Sequence, residues 1–331
     1  MQERELIEQI RNLVGENCQQ VLQGIGDDCA VLKKNSETVW LVTMDTLVES
    51  VHFDASWHPP ELLGRKAVSV NVSDIAAMGG KPCFVLLSLG LPAGFDHAWA
   101  KSLTTGITSG CRQYGCMLVG GDTVCSPEKV VLTITVIGEM AANKVLYRQG
   151  AKLDDTIWVT GNLGSAAAGL ALFQKKEPQL LVTYKPFVQK HLDPRARVNL
   201  AEILAQTGLV HSMMDISDGL ATDLSHLCQQ SNVGARVIAD QLPAHPLLAE
   251  AAKHCADDPL QWMVSGGEDY ELVFTAPPRT EEALKKLARN HDFQLFPIGT
   301  IVKGNRVVLG KSADMKDDEQ VISYQGFDHF S

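Results

Sequence analysis

The sequence predicts a two-domain protein of the α/β or α+β class, and three observations carry that expectation. At 331 residues the chain exceeds the size at which a single hydrophobic core usually stops growing. Apolar runs of strand length alternate with segments of helical period. A polar, turn-rich stretch, AANKVLYRQGAKLDD at 141–155, separates two halves, so the domains are expected at 1–140 and 150–331.

The elements follow in order. Residues 2–14 read as a helix, with Leu6, Ile7, Ile10, Leu13 and Val14 on one stripe. Strands are expected in CAVLKK (29–34), TVWLVTMD (38–45), CFVLLSLGLP (83–92) and VVLTITVIGEM (130–140). Two helices lie between them: one opens after Pro59 and Pro60 and runs over 61–78 to stop at Gly79 and Gly80, the other covers 97–115. The second half opens with the strand TIWVTG (156–161), a glycine turn and the helix SAAAGLALFQ (165–174). A helix near 194–206, an acidic motif at 215–223 with its own helix, and strands at 234–240 and 270–276 come next. A helix at 281–290 and strands at 293–301 and 306–310 complete it.

Composition narrows the function. Hydrophobic residues at 45% with charged residues at 21% describe a folded globular protein. A formal charge of -10 argues against nucleic acid as partner, because phosphate backbones demand a basic face. No apolar run reaches membrane-spanning length, and MQERELIEQIRNLVG lacks the apolar block of a signal peptide, so a cytoplasmic protein with no membrane partner is expected. The eight cysteines form no C-x-x-C pair and read as small buried hydrophobes.

One pattern recurs: Asp beside Gly or Ser at the end of an apolar run. It appears in GIGDDCAVL (24–32), VTMDTLVES (42–50), VNVSDIAAMGG (70–80), LVGGDTV (118–124), MMDISDGLATDL (213–224) and VSGGEDYELVF (264–274). Asp74 shares a helical face with Leu63, Ala67, Val70 and Ala77, and a carboxylate on an apolar face needs a cation, a donor network or a metal. A buried salt bridge, or a bend that lets it reach water, explains it as well. Asp45 and Asp215 stand at strand ends, where hard-cation sites take oxygen ligands. Asp218 is placed as the N-cap of the following helix, and capping competes with a site role there. Gly120, Gly121 and Asp122 suit close approach of a phosphate and its counter-cation, or simply a turn. No G-x-x-x-x-G-K-[ST] occurs, and GNLGSAAAG (161–169) reads as a strand–helix turn with close packing.

Taken in order over residues 24–330, these motifs with YRQGAK and the terminal GFDHF resemble the thiamine-monophosphate kinase family. The resemblance implies ATP-dependent phosphorylation of thiamine monophosphate to thiamine diphosphate. It implies the fold of aminoimidazole ribonucleotide synthetase: an N-terminal mixed sheet with flanking helices that binds ATP and Mg²⁺ and pairs in a homodimer, and a C-terminal α/β domain that completes the active site. Position by position, it makes Asp28, Asp45, Asp74, Asp122 and Asp215 ligands of several Mg²⁺ ions, with Thr43 and Met44 near the same cluster and Asp218 on a further ion. Asp45, Asp74, Asp122 and Asp215 would be the catalytic set; Gly121, Arg148 and Ser217 would contact ATP, and His52, Glu268 and Phe327 thiamine monophosphate. Met44 departs from the family pattern, which carries a second hydroxyl there; the change is silent if the ligand is the backbone carbonyl and weakens one metal if it is a side-chain oxygen.

The implied chemistry explains so many carboxylates. The acceptor phosphate is largely dianionic at neutral pH and must approach the γ-phosphate of ATP. Two unit charges about 4 Å apart repel by roughly 4 kcal/mol at an effective dielectric near 20. Magnesium ions bridging the phosphates cancel that charge, and an acceptor already ionised needs no strong base. His52 then serves as a substrate contact or a structural histidine, and Phe327 stacks on a thiamine ring or simply packs. Two rival readings remain: a synthetase of the same fold acting on selenium or an aminoimidazole ribonucleotide, and a cation or nucleotide sensor without turnover.

Overall fold

The computed structural model describes residues 3–15, 18–312 and 319–327. The chain divides into two units, one of Gln20–Val145 with Leu192–Glu202, the other of Leu146–His191 and Ile203–Ser331 with Met1–Gln19. The first helix, α1 (Glu3–Val14), therefore groups with the C-terminal unit. Residue 2 of its expected range lies outside the described residues. Its apolar stripe is not buried: Ile7, Ile10, Leu13 and Val14 are all exposed, Leu13 by 86%.

The N-terminal unit contains β1 (Val21–Gln23), β2 (Ala30–Lys33), β3 (Thr38–Val48), α2 (Pro60–Ala77), β4 (Lys81–Pro92), α3 (His97–Tyr114), β5 (Met117–Ser126) and β6 (Val131–Ala141). They form a six-stranded mixed sheet in the order β1-β2-β3-β6-β4-β5. Only β4 and β5 run parallel; β3 and β6 pair antiparallel from Thr38 opposite Ala141 to Val48 opposite Val131. Alternation along β3 and β6 buries Val39, Leu41, Leu132, Ile134 and Val136 on the face that receives α2.

Helix α2 starts where the prolines place it, with Pro59 as N-cap and Pro60 as first residue. It is buried nearly all round rather than along one stripe, because Gly64, Ala67, Ser69, Val70, Ser73 and Ala76 are small enough for α3 to pack on one side and the sheet on the other. Asp96 caps α3 through its side chain and Gly115 ends it in the left-handed conformation. Strand β5 corrects the sequence reading: Gly120 and Gly121 lie inside a strand, not in a turn. Between Leu118 and Gly120 the β4–β5 ladder carries a bulge at Val119.

The C-terminal unit runs through β7 (Thr156–Val159), α4 (Ser165–Lys175), α5 (Pro178–Thr183), α6 (Lys185–Leu192), α7 (Val198–Thr207), β8 (Ser212–Asp215), α8 (Leu220–Ser231) and β9 (Gly234–Ile238). It continues through α9 (Leu248–Cys255), α10 (Pro259–Ser265), β10 (Leu272–Ala276), α11 (Glu281–His291), β11 (Phe296–Val302), β12 (Val307–Gly310) and β13 (Glu319–Val321). The ends of α6 and α7 fall within the segment grouped with the N-terminal unit. Among the described residues seven strands order as β13-β12-β9-β11-β7-β10-β8, parallel only between β12 and β9. Strand β10 is buried at every residue, as expected of a central strand covered on both faces. One core lies beneath α8 around Leu220, Leu224 and Val273, and another around Leu172, Phe187 and Trp262 joins α4, α6, α9 and α10. Cysteines 29, 111, 116, 228 and 255 are buried as expected, whereas Cys18 and Cys125 are exposed and Cys83 is half-buried. Among the described residues, no helix is long and apolar enough to cross a membrane.

The packing of α2 on α3 yields a stability test. A Cβ added at Gly106 would lie 2.0 Å from the Glu61 carbonyl oxygen, and one at Gly64 would lie 2.2 Å from that of Leu103. The two helices meet backbone to backbone. Gly106→Ala is expected to cost about 2 kcal/mol or more, read as a lower urea midpoint with unchanged slope.

Candidate active site

The acidic group of the N-terminal unit is built by the alternation of β3. Thr43 and Asp45 point to the α2 face, and Met44 and Thr46 to the opposite one. Thr43 Oγ1 donates to Asp74 Oδ2 at 2.5 Å, and the Asp45 amide donates to Asn71 Oδ1 at 2.8 Å. Asn71 is held in turn by its Nδ2 donating to the Ala67 carbonyl, 3.0 Å away. Asp74 is thus half-buried and bonded to a hydroxyl, inside a network of polar side chains that joins β3 to α2.

The adjacent acids of GIGDDCAVL separate into two roles. Asp27 Oδ1 accepts from the Asp28 amide at 3.0 Å, an interaction that shapes the turn. Asp28 is buried and brings a carboxylate oxygen within 4.8 Å of one from Asp74. Burial pushes the Asp45 carboxyl above its ordinary value, and the charge of Asp28 raises it further. An all-oxygen set of this density matches the donors that Mg²⁺ takes.

Other predicted residues of this unit stand elsewhere. Met44 is 63% exposed on the far face of the sheet, so a side chain there does not join Asp45. Asp122 pairs in register with Ser88, Ser88 with Thr133 and Thr133 with Thr46, which sets Asp122 on that same far face. Gly121 has φ of +154°, and a Cβ there would fall 1.8 Å from the Leu87 carbonyl oxygen, so only glycine fits beside β4. His52 shapes the chain itself, because its Nδ1 accepts the Val48 amide at 3.0 Å in the turn that ends β3. That bond makes Nδ1 the acceptor and puts the proton on Nε2, so Nδ1 is not available as a base.

In the C-terminal unit two motifs interlock through their backbones. Asp215 ends β8, buried, opposite Leu272. The Ile216 amide donates to the Glu271 carbonyl at 2.8 Å, the Tyr270 amide to the Ile216 carbonyl at 2.8 Å, and the Glu268 amide to the Ser217 carbonyl at 2.7 Å. Following this path requires positive φ at two ordinary residues, +67° at Glu268 and +47° at Tyr270.

Capping at α8 departs from expectation. The N-cap is Gly219 at φ +114°, and no side chain caps the helix N-terminus from that position. Instead Asp223 Oδ2 reaches back to the amides of Asp218 and Gly219 at 3.2 and 3.1 Å. Burial holds the Asp223 carboxyl well above the usual range; the charges of Asp218 and Asp215 add to this and Arg148 opposes it. Phe327 is 50% exposed rather than packed, and its amide donates to the Asp218 carbonyl at 3.1 Å.

Four residues that shape these groups escape a reading of the sequence alone: Asn71, Asp223, Asp269 and Glu271. Asp223 has a legible signal, because it falls on the stripe of Leu220, Leu224 and Leu227 as Asp74 does on α2. Asp269 Oδ2 and Oδ1 accept the amides of Gly164 and Ala166 at 2.6 and 3.2 Å and so cap α4 from a distance. Glu271 receives Lys190 Nζ at 2.7 Å and Thr160 Oγ1 at 2.9 Å.

The Asp269 carboxyl is fully buried, and that burial first of all raises it from 3.8 to about 6. The folded state therefore keeps the proton up to about pH 6, while the unfolded chain releases it near 3.8. Stability from this group falls as pH rises through that window. Relative to Asp269→Asn, which does not titrate, the wild type should lose up to about 3 kcal/mol between pH 4 and pH 7, measured by paired urea titrations.

Residues 26–140 match the family model of AIR synthase related protein, N-terminal domain, and residues 152–311 that of its C-terminal domain. The thiamine-monophosphate kinase of Bacillus subtilis (strain 168) is 34% identical over 309 residues, 93% of each chain. The structure of AaThiL complexed with AMPPCP and TMP superposes with a TM-score of 0.85 at 33% identity, covering 99% of this chain and 97% of that one. Thiamine-monophosphate kinase from Stenotrophomonas maltophilia K279a gives 0.77 at 36% identity, over 94% and 97%. Both halves of the sequence match in order and the likeness runs almost end to end, so the chain belongs to the thiamine-monophosphate kinase family.

Proposed function

We propose that this protein phosphorylates thiamine monophosphate with ATP, giving thiamine diphosphate and ADP by direct in-line transfer assisted by several Mg²⁺ ions. The observation that carries the reading is the approach of Asp28 and Asp74 carboxylate oxygens to within 4.8 Å, beside an Asp45 carboxyl raised first by burial and then by the charge of Asp28. Carboxylates so close call for a divalent cation. The relatives named for this activity, and the AaThiL structure with AMPPCP and TMP, support the same substrates.

In this reading Asp28, Asp45 and Asp74 hold Mg²⁺, Thr43 orients Asp74 through its hydroxyl, and Met44 contributes at most its backbone carbonyl. Asp215 and Asp218 hold further Mg²⁺, with Arg148 and Ser217 on the ATP phosphates. Bound Mg²⁺ supplies charge cancellation between the two phosphates. Glu268, Phe327 and His52 contact thiamine monophosphate. Gly121 lets a phosphate approach the backbone, and Asp122 holds its counter-cation on the far face of the sheet.

That far face also supports the homodimer. Phe84, Leu86, Met117 and Val119 are exposed on β4 and β5, and Met44 lies in the row of Leu86 across Thr135. A contiguous apolar sheet surface of this kind is covered in stable oligomers. Light scattering should give twice the 36.0 kDa chain mass, falling to one chain in Leu86→Glu; a monomeric wild type at micromolar concentration would contradict the pairing.

Chromatography of products from purified protein, ATP, Mg²⁺ and thiamine monophosphate tests the activity itself. Thiamine diphosphate should form, unphosphorylated thiamine should not turn over, and γ-labelled ATP alone should leave no label on the denatured chain. Efficient use of thiamine, or a label that chases into product, would overturn direct transfer. Asp45→Asn and Asp74→Asn should each lose at least about a hundredfold in kcat/KM while keeping the wild-type unfolding midpoint within a few degrees. Near-normal turnover of both at limiting Mg²⁺ would remove the shared metal group.

A further inference from the structure

The last two residues that α6 contributes to the C-terminal unit, Lys190 and His191, reach the same acidic loop. Lys190 Nζ meets Glu271 Oε1 at 2.7 Å, and His191 Nδ1 lies 3.1 Å from Glu268 Oε2. Consecutive helix residues point about 100° apart, so two simultaneous partners fix both the rotation of α6 and the course of the loop. The three acids of this loop then divide their work. Asp269 is fully buried as the remote cap of α4, and Glu271 is buried in its ion pair. Glu268 alone keeps 26% of its side chain exposed, on a backbone held at φ +67° by its bond to Ser217.

His191 is 2% exposed, and its ring stands 6.1 Å from that of Phe173, so it has no room to swing away. Its Nδ1 is at ion-pair distance from Glu268 but not aligned as a hydrogen bond in this structure. A buried imidazole beside a half-exposed carboxylate has one evident use, which is to set the direction of that carboxylate. Thiamine monophosphate offers the matching group, because its thiazolium ring carries a fixed positive charge and its pyrimidine an amino donor. We propose that His191 is a positioning residue for substrate recognition: it anchors one oxygen of Glu268 so that the other is presented to the organic half of thiamine monophosphate. This rests on the reading of Glu268 as a substrate contact.

Steady-state kinetics of the full chain test it, with KM measured separately for thiamine monophosphate and for ATP. His191→Leu, close in size and without a donor, should raise KM for thiamine monophosphate about tenfold and leave KM for ATP within twofold. His191→Asn, whose amide nitrogen stands near the Nδ1 position, should restore most of the loss. In a Glu268→Gln background the effect of His191→Leu should vanish. If His191→Leu does not fold, His191→Gln carries the same comparison, its amide being displaced by one bond. Equal defects in Leu and Asn variants, a parallel rise in KM for ATP, or additive effects with Glu268→Gln would overturn the positioning role. A Glu268→Gln variant with wild-type kinetics would instead overturn the substrate contact on which it rests, and the proposal with it.

Discussion

Crowded carboxylates are the constraint to which much of this molecule responds. Asp28, Asp45 and Asp74 gather in one unit, Asp215, Asp218 and Asp223 in the other, and in each group burial and mutual repulsion raise a member above its ordinary range. Such groups persist only where surrounding donors are fixed in place. Thr43 and Asn71 do this around β3 and α2, and the amides of Asp218 and Gly219 do it around Asp223. The acids with purely architectural duties, Asp269 and Glu271, follow the same rule with an α4 N-terminus and a lysine. Charge is thus held by the fold in advance, and the phosphates and cations of a kinase reaction would meet it already arranged.

Much of the architecture is legible in the sequence because the signals are local. The β-branched runs of β3 and β6, the apolar run of β4 and the prolines before α2 define those elements within a few residues. β5 is not, because a glycine pair suggests a turn unless the neighbouring strand is known to need bare backbone at Gly121. Helices α5, α6, α9 and α10 have six to eight residues each, too few turns for a period to declare itself. The stripe of α1 is present as a pattern and yet stands open to solvent, since periodicity reports a face and not what covers it.

The acids themselves can be found by their placement at strand ends and on apolar faces, but their division of labour cannot. Position alone gives the capping role to Asp218, whereas Asp223 fills it from within the helix, a reversal that depends on Gly219 adopting φ +114°. Asp269 caps a helix more than a hundred residues earlier in the chain, and His191 meets Glu268 across a shorter but still long-range gap. Pairings of that kind arise from the strand order of the sheet, which no short window of sequence contains.

The bulge at Val119 shows how much can hang on one residue. Strand side chains alternate, so the extra residue in β5 reverses which way every later side chain of that strand is directed. Without it, counting on from Leu118 opposite Val85, Asp122 would come level with the buried Leu89 instead of with Ser88. The carboxylate would then stand where Thr123 now stands, on the opposite face of this edge strand, rather than on the face of Ser88 and Thr46. A question of odd or even in the residue count thus decides which face of the sheet this acid occupies, and deleting Val119 alone would exchange the two arrangements.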